Sequence, residues 1–222
     1  MFKPVPMAAL VVGAALGLAF SGHSASAQQF SADLARTDAG GTATRAGKLN
    51  VSHDKVRIET SDLPAGFFLV LAGTNTAYFV RPAQKIFMDA KQSSPLTQVF
   101  VAVDPDDPCT RWQARAEIAG GANEGTKWRC ERIGDDTVNG RRTIKYRGIS
   151  PGNRQHFGWI DPQLRFPVRL QYEDGTVVDL VNIQEKPQPE SLFVVPAGYR
   201  KFDPQQLIDR IKQSDVWVEP VH

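Results

Sequence analysis

The sequence predicts a mainly β (α+β) fold built on an antiparallel sheet, and three observations carry that prediction. Phe166, Val168, Leu170 and Tyr172 alternate with Arg165, Pro167, Arg169 and Gln171, a period of two that gives a strand one apolar and one solvated face. Glu173-Asp174-Gly175-Thr176 follows at once. Asp-Gly between two such runs is a strong hairpin signal, because glycine accepts positive φ without steric cost. Segments of this kind recur at short intervals, about eleven in all, and short connections favour a meander.

Residues 1–27 read as a secretory signal: Lys3, then an apolar run over 7–20, then Ala25-Ser26-Ala27 before Gln28. That run is shorter than the roughly 20 residues a spanning helix needs, and no later stretch approaches it, so no transmembrane segment is expected. Cleavage before Gln28 leaves no cysteine to acylate, which predicts an exported, unanchored, periplasmic protein. Residues 28–222 then form a single domain, long enough for one good-sized core. Lys3 is the only charged residue removed, so the net charge falls from +2 to +1. So balanced a chain does not suit nucleic acid, whose binders carry a basic face.

In chain order the strand-like segments are 30–37, 44–51, 55–60, 67–71, 76–81 and 85–89, then 127–133, 143–148, 155–161, 166–172 and 176–184. Ser52-His53-Asp54 and Pro82-Ala83-Gln84 supply turns. Val56 and Ile58, Tyr78 and Val80, Ile86 and Met88, Ile144 and Tyr146, and Phe157 and Trp159 are expected to share one side of the sheet. Residues 67–71 are apolar throughout, which implies a strand covered on both faces or one whose second face lines a cavity. One helix is expected to start at Asp203-Pro204, with Gln206 closing a capping box, Phe202 and Leu207 forming a staple, and Leu207, Ile208 and Ile211 as its stripe. A second is expected over 95–103 from the spacing of Leu96, Val99, Phe100 and Val103.

Chemistry is sparse. His53, His156 and His222 have no partner at metal-ligand spacing, and GxSxG, P-loop and GxGxxG patterns are absent. The reading is therefore no enzyme, no catalytic residue, no metal and no cofactor. Asp104, Asp106 and Asp107 lack the glycine and distal glutamate of a calcium loop, and read as solvated. Arg141, Arg142, Lys145 and Arg147 read as a solvated outer face beside Glu131, Asp135 and Asp136. Cys109 and Cys130 read as a disulfide of an oxidising compartment; it would close a loop of about 20 residues, contribute about 3 kcal/mol, and tie down 104–125, expected to be the least structured stretch. Many large rings for a sheet with little helix cover are the one positive clue. They are core residues, or some of them line a cavity for an acyl chain.

GKLNVSHDKVRIE (47–59), YFVRPAQKIFMD (78–89), CERIGDDTVNGRRTIKYR (130–147), GWIDPQLRFPVRLQ (158–171) and NIQEKPQPESLFVVPAGYRKF (182–202) resemble an exported bacterial domain of unknown function grouped with the LolA/LolB-like superfamily, the periplasmic lipoprotein-carrier fold. The resemblance implies an incomplete, strongly curved antiparallel β-barrel of about eleven strands, with one or two helices covering its open side above a hydrophobic cavity. It further implies a soluble carrier or binder of a lipid or lipoprotein acyl chain. The alternative is a sensor or regulatory module that acts by contact with a periplasmic or envelope protein. On the carrier reading, the cavity wall is expected from Phe68, Val70, Tyr78, Val80, Met88, Ile144, Tyr146, Trp159, Phe166, Val168 and Leu170.

Overall fold

The computed structural model describes residues 28–74, 76–90, 96–118, 129–149, 153–204 and 208–209, with side chains at 115–118 excepted. They build one 12-stranded sheet. The first six strands, β1 (Gln29–Thr37), β2 (Ala43–Ser52), β3 (Lys55–Thr60), β4 (Phe67–Leu71), β5 (Thr76–Arg81) and β6 (Ile86–Asp89), form an antiparallel meander. A second meander comprises β7 (Arg129–Val138), β8 (Arg141–Ile149), β9 (Gln155–Asp161), β10 (Phe166–Gln171) and β11 (Val177–Glu185). The two join where β1 pairs with β11, from Phe30 opposite Glu185 to Thr37 opposite Val177. A two-residue strand, β12 (Arg200–Lys201), pairs with β6 in parallel and ends the sheet on that side, while β7 ends it on the other. The curved sheet therefore does not close into a barrel.

Turn chemistry accounts for the tight corners. His53, in the left-handed region at φ 57°, lets Ser52 pair with Lys55. Asn139 (φ 50°) and Gly140 (φ 78°) give the two positive angles that a two-residue hairpin between β7 and β8 requires. The hairpin read from Asp174-Gly175 forms as expected: Gly175 lies at φ 83° and the Tyr172 amide donates to the Thr176 carbonyl at 2.8 Å.

Two helices pack on one face. The expected helix over 95–103 is short: α1 (Leu96–Val99) ends before Phe100, and the Val103 amide instead donates to the Arg165 carbonyl at 2.9 Å. The β-branched Val101 and Val103 favour extended backbone, and Phe100, Val101 and Val103 are buried. The stretch expected to be least structured holds the longer helix, α2 (Pro108–Ile118). Asp107 caps it, accepting from the Thr110 amide at 3.2 Å and the Thr110 hydroxyl at 2.6 Å, and Pro108 takes the first turn, where its missing N–H costs nothing. Of the helix expected after Asp203, Pro204, Ile208 and Asp209 have helical backbone, and the rest lies outside the described residues, as do residues 1–27, where a signal is expected, and the first two residues of the strand expected over 127–133.

The main core lies on the helix side. Phe166 packs edge-on against Phe30, with ring centroids 5.3 Å apart, and stacks on Phe100 at 6.3 Å. Strand β4 is covered on both faces: Phe68 and Val70 join the main core, while Phe67 and Leu69 pack with Val80 and Phe193 on the opposite face. Burial, not a cavity, explains its unbroken apolar run. The register overturns one expectation, that Tyr78 and Val80 face the main core. They lie opposite Leu69 and Phe67, so they belong to the second face, and Ala77 and Phe79 take the main-core side.

Candidate functional site

The site grows from a gap in side-chain packing on β8 to β10. Gly158 pairs with Tyr146 on one side and with Leu170 on the other, and Gly148 pairs with His156, so all five face the helix layer. The two glycines leave that surface hollow. A Cβ at Gly158 would come within 2.8 Å of the Trp112 ring, so the indole lies directly on the strand backbone. Trp112, from α2, also donates its indole N–H to the Val99 carbonyl at 3.1 Å, which ties α2 to the end of α1.

Above this floor remains a cavity of about 320 Å³. Val99, Trp112, Phe157, Leu170 and Tyr172 supply apolar walls, and the Cys109–Cys130 disulfide lines one side. The disulfide links the start of α2 to strand β7, with Cα atoms 5.7 Å apart. The Tyr146 hydroxyl donates to the Pro105 carbonyl at 2.8 Å and fixes the chain entering α2. Arg154, His156, Gln98, Gln113 and Gln171 add the polar part of the lining.

His156 packs edge-on against Tyr172, centroids 5.8 Å apart. Burial, and then the Arg154 charge, hold the imidazole below its ordinary pKa, while Glu173 and Asp174 oppose. It is neutral at pH 7. Burial likewise raises the Tyr172 phenol, which therefore stays protonated. Among the described residues no group of three or more metal-ligating side chains converges.

Of the residues expected to form one wall, Leu170 lines this cavity. Phe68, Val70, Tyr146, Phe166 and Val168 are buried in the main core, and Ile144 packs against it. Met88 pairs with Phe79 near the sheet end and is half-buried. Tyr78 and Val80 are on the other face, as described. Trp159 pairs with Lys145 and Arg169, so it points away from Ile144, Tyr146 and Leu170, contrary to the expected grouping of Ile144, Tyr146, Phe157 and Trp159 on one side. Its indole donates to Asp136 at 2.7 Å, with the Lys145 ammonium 4.5 Å from the ring. That hydrogen bond is the main reason the Asp136 carboxyl titrates below the usual range. The expected wall is dispersed because β4 and β10 lie five strand steps apart, about 24 Å along the sheet.

Missed by sequence reasoning were Val99, Gly148, Gly158 and His156 as neighbours around a cavity. Asp107-Pro108 was the available signal, the same cap-and-proline pair as Asp203-Pro204. A second, polar cleft of about 270 Å³ lies between Arg36, Asp38, Thr44 and Asp62; Asp38 is already engaged there by the Thr42 amide at 2.8 Å.

No family model and no curated protein matches the chain. Among solved structures it is similar to PNGF-II, with a TM-score of 0.51 and 10% identity over 84% of this chain and 34% of that one. The chain thus spans about a third of PNGF-II, and the likeness is one of fold. An outer membrane lipoprotein-sorting protein domain from Vibrio parahaemolyticus has a TM-score of 0.35 and 12% identity, covering 74% of this chain and 88% of its own. MucB has a TM-score of 0.41 and 12% identity, covering 76% and 57%. Neighbours of the kind the sequence resemblance names are therefore present, and at these scores they add nothing to the geometry of the site.

Proposed function

We propose that this chain is an exported, non-catalytic binder of a hydrophobic ligand, a lipid or an acyl chain, held in the cavity beneath α2. The observation that carries the reading is that cavity, a mostly apolar pocket of about 320 Å³ roofed by α2 and stapled by the disulfide. Its volume is within the usual range for ligand pockets, about 300–1,000 Å³. Binding comes from burying apolar surface, at about 25 cal/mol per Å² before association costs. The disulfide suits an oxidising compartment, and among the described residues no helix is long and apolar enough to cross a membrane.

The competing reading, a module acting through protein contact, would use the loop 104–125 or a sheet edge such as β7, which among the described residues pairs with β8 alone. Its bulge beside Gly134 and the charges of Glu131, Arg132, Asp135 and Asp136 are features that oppose strand addition there. Native mass spectrometry of protein gently purified from periplasm is the test. The expected spectrum contains a discrete co-purifying apolar ligand. Protein that is always empty, and that binds no apolar fluorescent dye, refutes the proposal.

A further inference from the structure

We infer that the corner of the sheet where β5, β6 and β12 meet docks on an anionic membrane surface; the inference is independent of what fills the cavity. Register brings the charges together. Ile86 pairs with Arg81 on one side and with Arg200 on the other, so both guanidinium side chains leave the same face, their backbones roughly 10 Å apart across two strand spacings. Lys201 pairs with Phe87 and leaves the opposite face. Lys85 occupies the turn before β6 in the left-handed region at φ 51°, and its carbonyl accepts from the Arg200 amide at 2.9 Å. Lys85, Arg200 and Lys201 are exposed, and Arg81 is half-buried.

These four cations are unmatched. Elsewhere on the sheet arginines meet carboxylates, as Arg45 does Asp33 and Arg57 does Glu59, each at 2.9 Å. Among the described residues none of the four forms a side-chain hydrogen bond or ion pair. Asp89 is three residues past Ile86 and Asp203 three past Arg200, roughly 10 Å along an extended chain, and each has an interaction of its own. Positive charge on an edge strand discourages pairing with another sheet, which accounts for Arg200 and Lys201 but not for Arg81 on β5 or Lys85 in the turn. In so evenly balanced a chain, such a cluster turns one end of the molecule toward an anionic partner. Shape then selects the partner. The charges leave both faces around the end of the sheet, and neither cavity described above lies there. A small anion needs converging donors, whereas a plane of phosphate headgroups is met by basic residues spread over a corner.

The experiment floats the mature chain with phosphatidylcholine vesicles that contain or lack phosphatidylglycerol. Binding is expected only to the anionic vesicles at low salt, and is expected to vanish near 1 M ionic strength, where the screening length is about 3 Å. A basic residue near an anionic surface contributes about five-fold to partition, so Arg200→Gln with Lys201→Gln should weaken it roughly twenty-five-fold. Lys85→Asn, which suits the left-handed turn, should weaken it about five-fold. Arg142→Gln, at an exposed arginine on β8, should change nothing, and thermal midpoints should match the wild type throughout. No partition of the wild type to anionic vesicles, undiminished partition of the double variant, or an equal loss from R142Q overturns the inference. If polyglutamate binds the wild type but not the double variant while vesicles bind neither, the corner serves an acidic chain and the membrane assignment fails. Dye binding in the cavity stands or falls separately from each of these outcomes.

Discussion

Removing the disulfide, as Cys109→Ser with Cys130→Ser, tests whether a covalent staple holds the roof over the cavity. The two cysteines are 21 residues apart, and freeing a loop of that length in the unfolded chain costs about 3 kcal/mol in the chain-entropy model. With a urea dependence of about 2 kcal/mol per M, the unfolding midpoint should fall by roughly 1.5 M. The fold should survive, because the Trp112 indole still reaches the Val99 carbonyl and the Tyr146 hydroxyl still reaches Pro105. Tryptophan fluorescence and far-ultraviolet circular dichroism followed through urea titrations measure the shift, and coincident curves confirm a single transition. Dye affinity should fall in parallel, since both cysteines line the pocket. A loss below about 0.5 kcal/mol with full dye binding would refute the staple argument and assign the roof to Trp112 and Tyr146 alone.

Two further outcomes follow from the floor and the wall of the pocket. Gly158→Val places carbon atoms where the Trp112 ring now lies, so it should destabilise by about 1–3 kcal/mol and abolish dye binding in calorimetric and fluorescence titrations; an unperturbed variant would mean the indole is free to move. The His156 pKa is lowered, so the unfolded chain takes up its proton first: stability should be intact above the unfolded value of 6.5 and decline as the pH falls through it toward the lower folded value, and His156→Gln should flatten that part of a stability-against-pH curve.

Much of the sheet was legible because strand signals are local. The Asp174-Gly175 turn and the alternation over 166–172 needed no tertiary information. Which side each strand presents was another matter. In β5, Ala77, Tyr78, Phe79 and Val80 offer an apolar residue at every step, so only the pairing with β4 decides that Tyr78 and Val80 turn away from the main core. Trp159 misled for the same reason: only the pairing with β8 decides that Gly158 and Ile160, and not Trp159, carry the helix-side face. Helix α2 escaped notice because its stretch is rich in charge and bordered by Asp, Pro and Gly, and the site went with it. A hollow formed by two glycines beneath an unexpected helix leaves no residue pattern of its own. The cysteine pair was legible from count and compartment alone, and it is the one expected feature that touches the cavity directly along with Leu170.

The seam between β1 and β11 has a kinetic consequence. Each meander contains only neighbouring hairpins, which close short loops and can form quickly. The seam sets Phe30 against Glu185, so it cannot form until nearly the whole chain is available, and its loop-closure entropy is the largest in the sheet. High contact order of this kind slows folding. On the proposed reading of an exported chain such delay is of use, since two unjoined half-sheets are easier to keep open than one completed wall.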